Sequence, residues 1–226
     1  MILQIETATT SCSVALAHNG DILGFKEINA RNVHAEVITV YIDELIKKAD
    51  LQYGDLDAIA VSRGPGSYTG LRIGVSTAKG LCFALDKPLI AVDTLAAMAR
   101  GVASGQKINE NTLLCPMIDA RRMEVYTAIF DTNGNVIKPT AAEIIDEQSF
   151  SDILSRQKRI LFFGDGADKC REALTHPNAI FLSDFVNSAS HLTQIAADRF
   201  EAKKFEDVAY FEPFYLKDFI AGKRTA

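Results

Sequence analysis

Tryptophan is absent from the 226 residues, and the four cysteines, Cys12, Cys82, Cys115 and Cys170, stand far apart. They form neither a Cys-x-x-Cys pair nor a Cys/His cluster, so neither a zinc site nor a disulfide framework is encoded. Isolated thiols at apolar positions read as small core residues. No run approaches the ~18 consecutive apolar residues of a membrane helix, and the start MILQIETATT lacks a basic leader, so a cytoplasmic protein is expected. Positive charge is also in deficit: 24 Lys and Arg against 29 Asp and Glu give a net charge of -5. Gripping nucleic acid by its phosphates needs clustered Lys and Arg, so RNA, if involved, is expected to be held through something else. There is no Gly-x-x-x-x-Gly-Lys-Ser/Thr, no His-Glu-x-x-His and no serine with the flanking glycines of a nucleophile elbow. P-loop phosphoryl transfer, zinc proteolysis and acyl-enzyme chemistry therefore lose their usual signatures.

What is present is an ordinary globular composition, 48% hydrophobic and 23% charged, with a periodicity that changes along the chain. Short β-branched runs at residues 2–6, 12–17 and 22–28 read as a three-stranded meander. Its second turn contains Asn19-Gly20, a hairpin signal because both residues tolerate positive φ. Val37, Ile38, Tyr41, Ile42, Leu45 and Ile46 recur at helical spacing, predicting an amphipathic helix over 34–48. A strand at 57–62, a helix at about 70–85, a strand at 89–92 and a helix at 93–103 with Asp93 as N-cap complete the first half.

The second half repeats that order. Strands are expected at 113–118, 125–130 and 136–138, then a helix around 150–157 and a strand at 159–163. The Gly164-Asp165-Gly166 turn, a helix to about 174, a strand at 180–182 and a helix at 189–203 follow. Ile5 and Ile118 are 113 residues apart, and the two Asn-Gly turns 114 apart. An internal duplication is the simplest account. A doubled βββαβαβα unit is the architecture of the actin-like (ASKHA, ribonuclease H-like) α/β superfamily. Two lobes are expected, residues 1–108 and 109–226.

Four stretches could carry chemistry. The run Glu6-Thr7-Ala8-Thr9-Thr10-Ser11 offers hydroxyls and backbone amides for an anion nest, or a turn that satisfies its own backbone. Thr9 and Thr10, with Gly164 and Gly166, are the candidate nucleotide-contacting residues. Ser62 to Ile73, SRGPGSYTGLRI, is a tight glycine-proline connection into a helix that Thr69 is placed to cap, with help from Ser67. Along that helix Gly70, Gly74 and Ala78 leave a flat groove, which either packs on the 34–48 helix of the same chain or joins an intersubunit bundle. On the latter reading, Gly74→Arg blocks pairing and leaves the monomer folded. His34 has no histidine four residues on, where Ile38 stands, so no metal site is expected. Asp119, Arg121, Arg122 and Glu124 sit in one turn, either solvated or presenting arginines to a carboxylate or phosphate.

Taken together, IETATTSCSVAL, HAEVI, SRGPGSYTGLRIGVSTAKGL, AVDTLAAMA, DARRMEVY, FFGDGA and the late FEPFYLK resemble the TsaB (YeaZ) family over nearly the whole chain. Glu6 departs from it, standing where the family commonly has Asp. The resemblance implies a non-catalytic, cofactor-free subunit that binds and activates a TsaD-type threonylcarbamoyltransferase. That enzyme modifies the adenosine beside the anticodon in tRNAs reading codons that start with A. A TsaE-type ATPase is implied as a further partner, a homodimer when the chain is alone, and tRNA only through the complex. Carried over, the interface would use His34, Val37, Ile38, Tyr41, Gly70, Arg72, Gly74, Ala78, Asp119 and Arg121, with Lys79 nearby. The alternative is an ATP-dependent kinase or carbamoyl/acyl transferase working by itself through Glu6, Asp119 and the glycine turns. The family's older association with glycoprotease activity has no motif here.

Overall fold

A computed structural model describes residues 1–105, 107–156 and 158–217. The first half runs β1 (Ile2–Glu6), β2 (Ser11–His18), β3 (Asp21–Asn29), α1 (His34–Lys48), β4 (Ala58–Gly64), α2 (Tyr68–Leu85), β5 (Leu89–Asp93) and α3 (Thr94–Gly105). The second runs β6 (Thr112–Asp119), β7 (Glu124–Phe130), β8 (Val136–Ile144), α4 (Ser151–Leu154), β9 (Arg159–Phe163), β10 (Ala179–Phe181) and α5 (Thr193–Glu201). Two five-stranded sheets result, ordered β3-β2-β1-β4-β5 and β8-β7-β6-β9-β10, so each strand has a counterpart at the same place in the other sheet. In both, the first three strands pair antiparallel and the last two join in parallel. The duplication and the actin-like fold expected from the periodicity are what the chain forms.

The central strands are buried on both faces, as a parallel core requires. Asn19 at φ 51 and Gly20 at φ 85 make the predicted hairpin turn. Each half gives its last helix to the other. Leu95, Met98, Ala99 and Val102 of α3 pack on Leu114, Ile118, Phe130 and Phe163 of the second sheet. Leu192 and Ala196, at and after the 3-10 turn Ala189–Leu192, pack on Ile2, Ala60, Ile90 and Val92 of the first. Gly101 is needed at this crossing because a Cβ there would overlap the His191 ring.

The outer layers differ between halves. The first keeps helices of 15 and 18 residues, α1 and α2. In the second, the helix expected around 150–157 is the single turn α4, with Gln157 outside the described residues. The helix expected up to about 174 is only the 3-10 turn Asp168–Cys170. The apolar positions there, Ala167, Cys170 and Leu174, pack under the sheet, but the span is too short for helical cooperativity. Two further expectations shift. Ser67, not Thr69, is the N-cap of α2, its Oγ accepting the Gly70 N–H at 3.2 Å. Asp93 ends β5 and holds Arg63 at 2.8 Å and Arg199 at 3.7 Å.

Candidate functional site

At the seam between the lobes, β1 ends on Glu6, whose carboxylate is fully buried. Oε1 accepts the Ala8 N–H at 2.6 Å and the Ser62 hydroxyl at 2.9 Å. Oε2 has no hydrogen-bond partner, and the Asn187 amide, also unpaired, is near enough to lower the Glu6 pKa. Burial outweighs the two bonds and pushes the Glu6 pKa up to about 7. The turn after β1 satisfies part of its polar groups within the chain, while the buried Thr7 and Ser11 hydroxyls have no hydrogen-bond partner among the described residues. Ser11 N–H goes to Thr9 Oγ1 at 3.2 Å, and the Thr10 hydroxyl goes to Asn29 at 2.7 Å. His34 Nε2 lies 3.0 Å from the Thr9 carbonyl and 3.3 Å from that of Ser11, so the imidazole bridges inward to the turn.

Thr9, Thr10 and Gly164 do meet at the seam, around a cavity of about 20 Å³ that Phe185 and Val186 help close. That is room for about one water. No Lys or Arg lines it, and Asp165, whose pKa burial raises, does. Gly166 is not on this cavity; it packs against the backbone of Ile118 and Asp119, where a Cβ would be too close. Asp119 pairs with Lys169 and accepts the Arg121 N–H at 3.0 Å. Neither acid of the kinase reading is therefore free: Glu6 is buried and Asp119 is tied. Among the described residues no three of His, Cys, Asp and Glu are placed so that they could hold a metal ion. All four thiols are buried, and burial raises the pKa of Cys12 to about 11 and of Cys82 and Cys115 to about 12.

The residues proposed for the helical face divide. His34, Ile38, Gly70, Gly74 and Ala78 are buried inside the lobe by the chain's own residues. Gly70 and Gly74 pack on the end of β1. A Cβ at Gly70 would overlap the Thr7 carbonyl and one at Gly74 the Thr7 hydroxyl, so both let α2 approach the end of β1. Gly74→Arg is accordingly expected to destabilise the fold by at least about 3 kcal/mol, read as a drop in thermal midpoint, and is no clean probe of pairing. Val37 and Tyr41 remain half-exposed, and Arg72 is exposed with its guanidinium 5.5 Å over the Tyr68 ring.

A second stripe, one the spacing argument passed over, faces outward. Ser76, Gly80 and Ala84 are exposed at four-residue intervals, and nothing lies within 4 Å of a Cβ built on Gly80. Beside them Phe83 is 87% exposed, and Val40 of α1 49%. A glycine in a helix interior costs about 1 kcal/mol relative to alanine, and nothing in the chain requires this one. The signal was in the sequence, but two small-residue registers overlap on one helix, and spacing alone does not say which faces out.

Two sheets of matching order, exchanged final helices and a seam at the tip of β1 define an actin-like ATPase-fold protein. Residues 24–222 match the family model described as TsaD: tRNA N6-adenosine threonylcarbamoyltransferase. The chain is 31% identical over 229 residues to the tRNA threonylcarbamoyladenosine biosynthesis protein TsaB of Escherichia coli, covering 99% of this chain and 97% of that one. It is 41% identical over 113 residues to a tRNA N6-adenosine threonylcarbamoyltransferase of Staphylococcus aureus, covering 42% of this chain and 33% of the relative. YeaZ from Pseudomonas aeruginosa superposes with a TM-score of 0.83 at 27% identity, covering 95% of this chain and 99% of that one. The chain belongs to the TsaB (YeaZ) family.

Proposed function

We propose that the chain acts in tRNA threonylcarbamoyladenosine biosynthesis as a non-catalytic scaffold. On this reading, the lobe of residues 1–108 binds a TsaD-type threonylcarbamoyltransferase through α1 and α2, and the lobe of residues 109–226 completes the seam. The observation that carries it is the unexplained exposure of Ser76, Gly80, Ala84 and Phe83 on the half that keeps its outer helices. Small residues let another backbone approach, and an aromatic beside them anchors a contact. The partner is a relative built on similar sequence, so its own corresponding helices would complete a four-helix contact by approximate two-fold symmetry. The same face would serve self-pairing when the partner is absent. A TsaE-type ATPase as third component and a cytoplasmic location belong to the same proposal. No helix among the described residues is long and apolar enough to cross a membrane.

The competing reading, an ATP-dependent enzyme working alone, has to place a polyphosphate in a seam with room for one water and the Asp165 carboxyl at its edge. Two assays separate them. The purified chain is expected to show no ATP hydrolysis and no threonylcarbamoyl transfer alone, to co-elute with the transferase, and to raise its turnover when mixed. Turnover by the isolated chain, or a transferase indifferent to its presence, overturns the scaffold reading.

A further inference from the structure

Arg121 and Arg122 occupy the short connection between β6 and β7 with φ values of 71° and 50°. That left-handed backbone costs an L-residue roughly 1–2 kcal/mol, and Asn or Gly is the usual occupant. Two consecutive arginines there oppose local turn chemistry. Strain kept at an exposed turn points to a use for the side chains. Both residues are exposed, and no hydrogen bond or ion pair of either guanidinium is formed among the described residues. The turn beneath them is firm. Asp119 accepts the Arg121 N–H at 3.0 Å and pairs with Lys169, which donates to the Glu124 carbonyl at 2.7 Å. The Glu124 carboxylate pairs with Lys217. Lys169 and Lys217 are thus spent on Asp119 and Glu124, with Asp165 accepting the Asp119 N–H, which leaves the two arginines as the uncommitted cations of the turn.

Through the Lys217–Glu124 pair the arginine turn is tied to a pair of aromatics. Two residues before Lys217, Tyr215 is exposed and its ring centroid lies 4.8 Å from that of Tyr68, under the Arg72 guanidinium. On the other side of the turn is an acidic groove of about 600 Å³, lined by Asp146, Glu147 and Glu172 with Lys169 at its edge. A polyanion leaving the arginines is repelled from that groove and directed toward Tyr215. Guanidinium pairs match phosphate oxygens in fork geometry, and tyrosine faces stack on unpaired bases. A protein carboxylate would account for the arginines but leave the tyrosine pair and the acidic border without a role.

We infer that the Arg121–Arg122 turn and the Tyr68–Tyr215 pair form a direct contact for a single-stranded segment of RNA, held through its phosphates at the turn and a base at Tyr215. The inference rests on the role in tRNA modification proposed above, and differs from it in giving this chain its own RNA contact.

The test uses the assembled complex with the transferase, unmodified tRNA, and two variants. Arg121→Asn with Arg122→Gly removes both guanidiniums and relieves the backbone, so it is expected to melt no lower than the parent. Its tRNA affinity should fall about 10-fold at low salt, and the slope of log K against log salt should drop by roughly 1.4, two phosphate contacts at ~0.7 each on a single strand. Tyr215→Ala should weaken binding about 5-fold or more with the slope unchanged, because stacking releases no counterions. Pairing with the transferase, followed separately by co-elution, should not change in either variant. Unchanged affinity and slope in the double variant overturns the inference. So does loss of pairing with tRNA affinity lost only in proportion, which would assign the arginines to a carboxylate of the partner. Should the chain not pair with a transferase at all, the scaffold reading fails alone, and the same slopes measured on the isolated chain at low salt decide the RNA contact.

Discussion

Gly80→Arg is expected to abolish pairing with the threonylcarbamoyltransferase and, at the same time, to make the isolated chain more stable. Gly80 lies within α2, its surroundings are open, and it has no positive φ that a side chain would strain. Replacing a solvent-facing helix glycine by arginine gains about 0.5–1 kcal/mol of helix stability. Across a tight helix contact the same side chain fills the approach space and buries an unpaired charge. A penalty of at least about 3 kcal/mol, on the order of a 100-fold loss of affinity, follows. Phe83→Ala should weaken pairing by about 2 kcal/mol while leaving the melt untouched, since the ring is 87% exposed in the single chain. Thermal melts and analytical gel filtration with the partner read both effects. A Gly80→Arg chain that still co-elutes with the transferase would remove the helical face from the scaffold reading. Opposite signs on folding and pairing are what distinguish this position from Gly74, where arginine damages both.

The contrast between these two glycines shows how far the sequence could be read. Period and turn chemistry located strands that fill both sheets, because alternation, β-branched runs and Asn-Gly turns act over a few residues. They could not place Thr7, which forces Gly70 and Gly74 to be glycine, since that contact joins the tip of β1 to α2 across more than sixty residues of chain. The exchange of α3 and α5 between sheets was likewise invisible: each helix has an apolar side, and nothing local says which sheet receives it. His34 stood in the sequence only as a histidine without a metal partner at position 38 and as an interface candidate, yet its ring bonds to carbonyls of the β1–β2 turn. The glycine-proline connection was legible as unusual. Its reason is that the Ser67 N–H reaches the Ala8 carbonyl at 2.7 Å and that Gly66 leaves no space for a Cβ beside Ala8. Candidate residues chosen by spacing thus fell partly on the buried sides of α1 and α2.

Glu6→Gln is expected to leave stability unchanged near pH 4.5 and to raise it by on the order of 3 kcal/mol above pH 7. In the folded chain burial holds the Glu6 proton up to about pH 7, against an ordinary value of 4.5. Between those values the native state keeps a proton that the unfolded state has lost, so Glu6 makes stability fall as pH rises, by about 1.4 kcal/mol per unit. His191 acts in the opposite sense. It is half-buried against Phe185, ring centroids 5.3 Å apart, and desolvation lowers its pKa from 6.5 to about 4. Between those values the unfolded chain binds a proton that the folded chain refuses, and stability rises with pH. The two windows overlap and their magnitudes are similar, so the parent's stability should be nearly flat from pH 4.5 to 6.5 as far as these groups decide it. Single substitutions unmask the balance. With Gln at position 6, which keeps the acceptor for Ala8 and Ser62, the histidine slope remains and stability climbs with pH. With His191→Gln the carboxyl slope remains and stability declines over the same range. Urea unfolding at pH 5 and pH 8 on the three proteins reads this directly. A Glu6→Gln chain less stable than the parent at pH 8 would mean that the carboxylate is ionised and satisfied in the seam, and that the orphaned Oε2 has a cationic or water partner there.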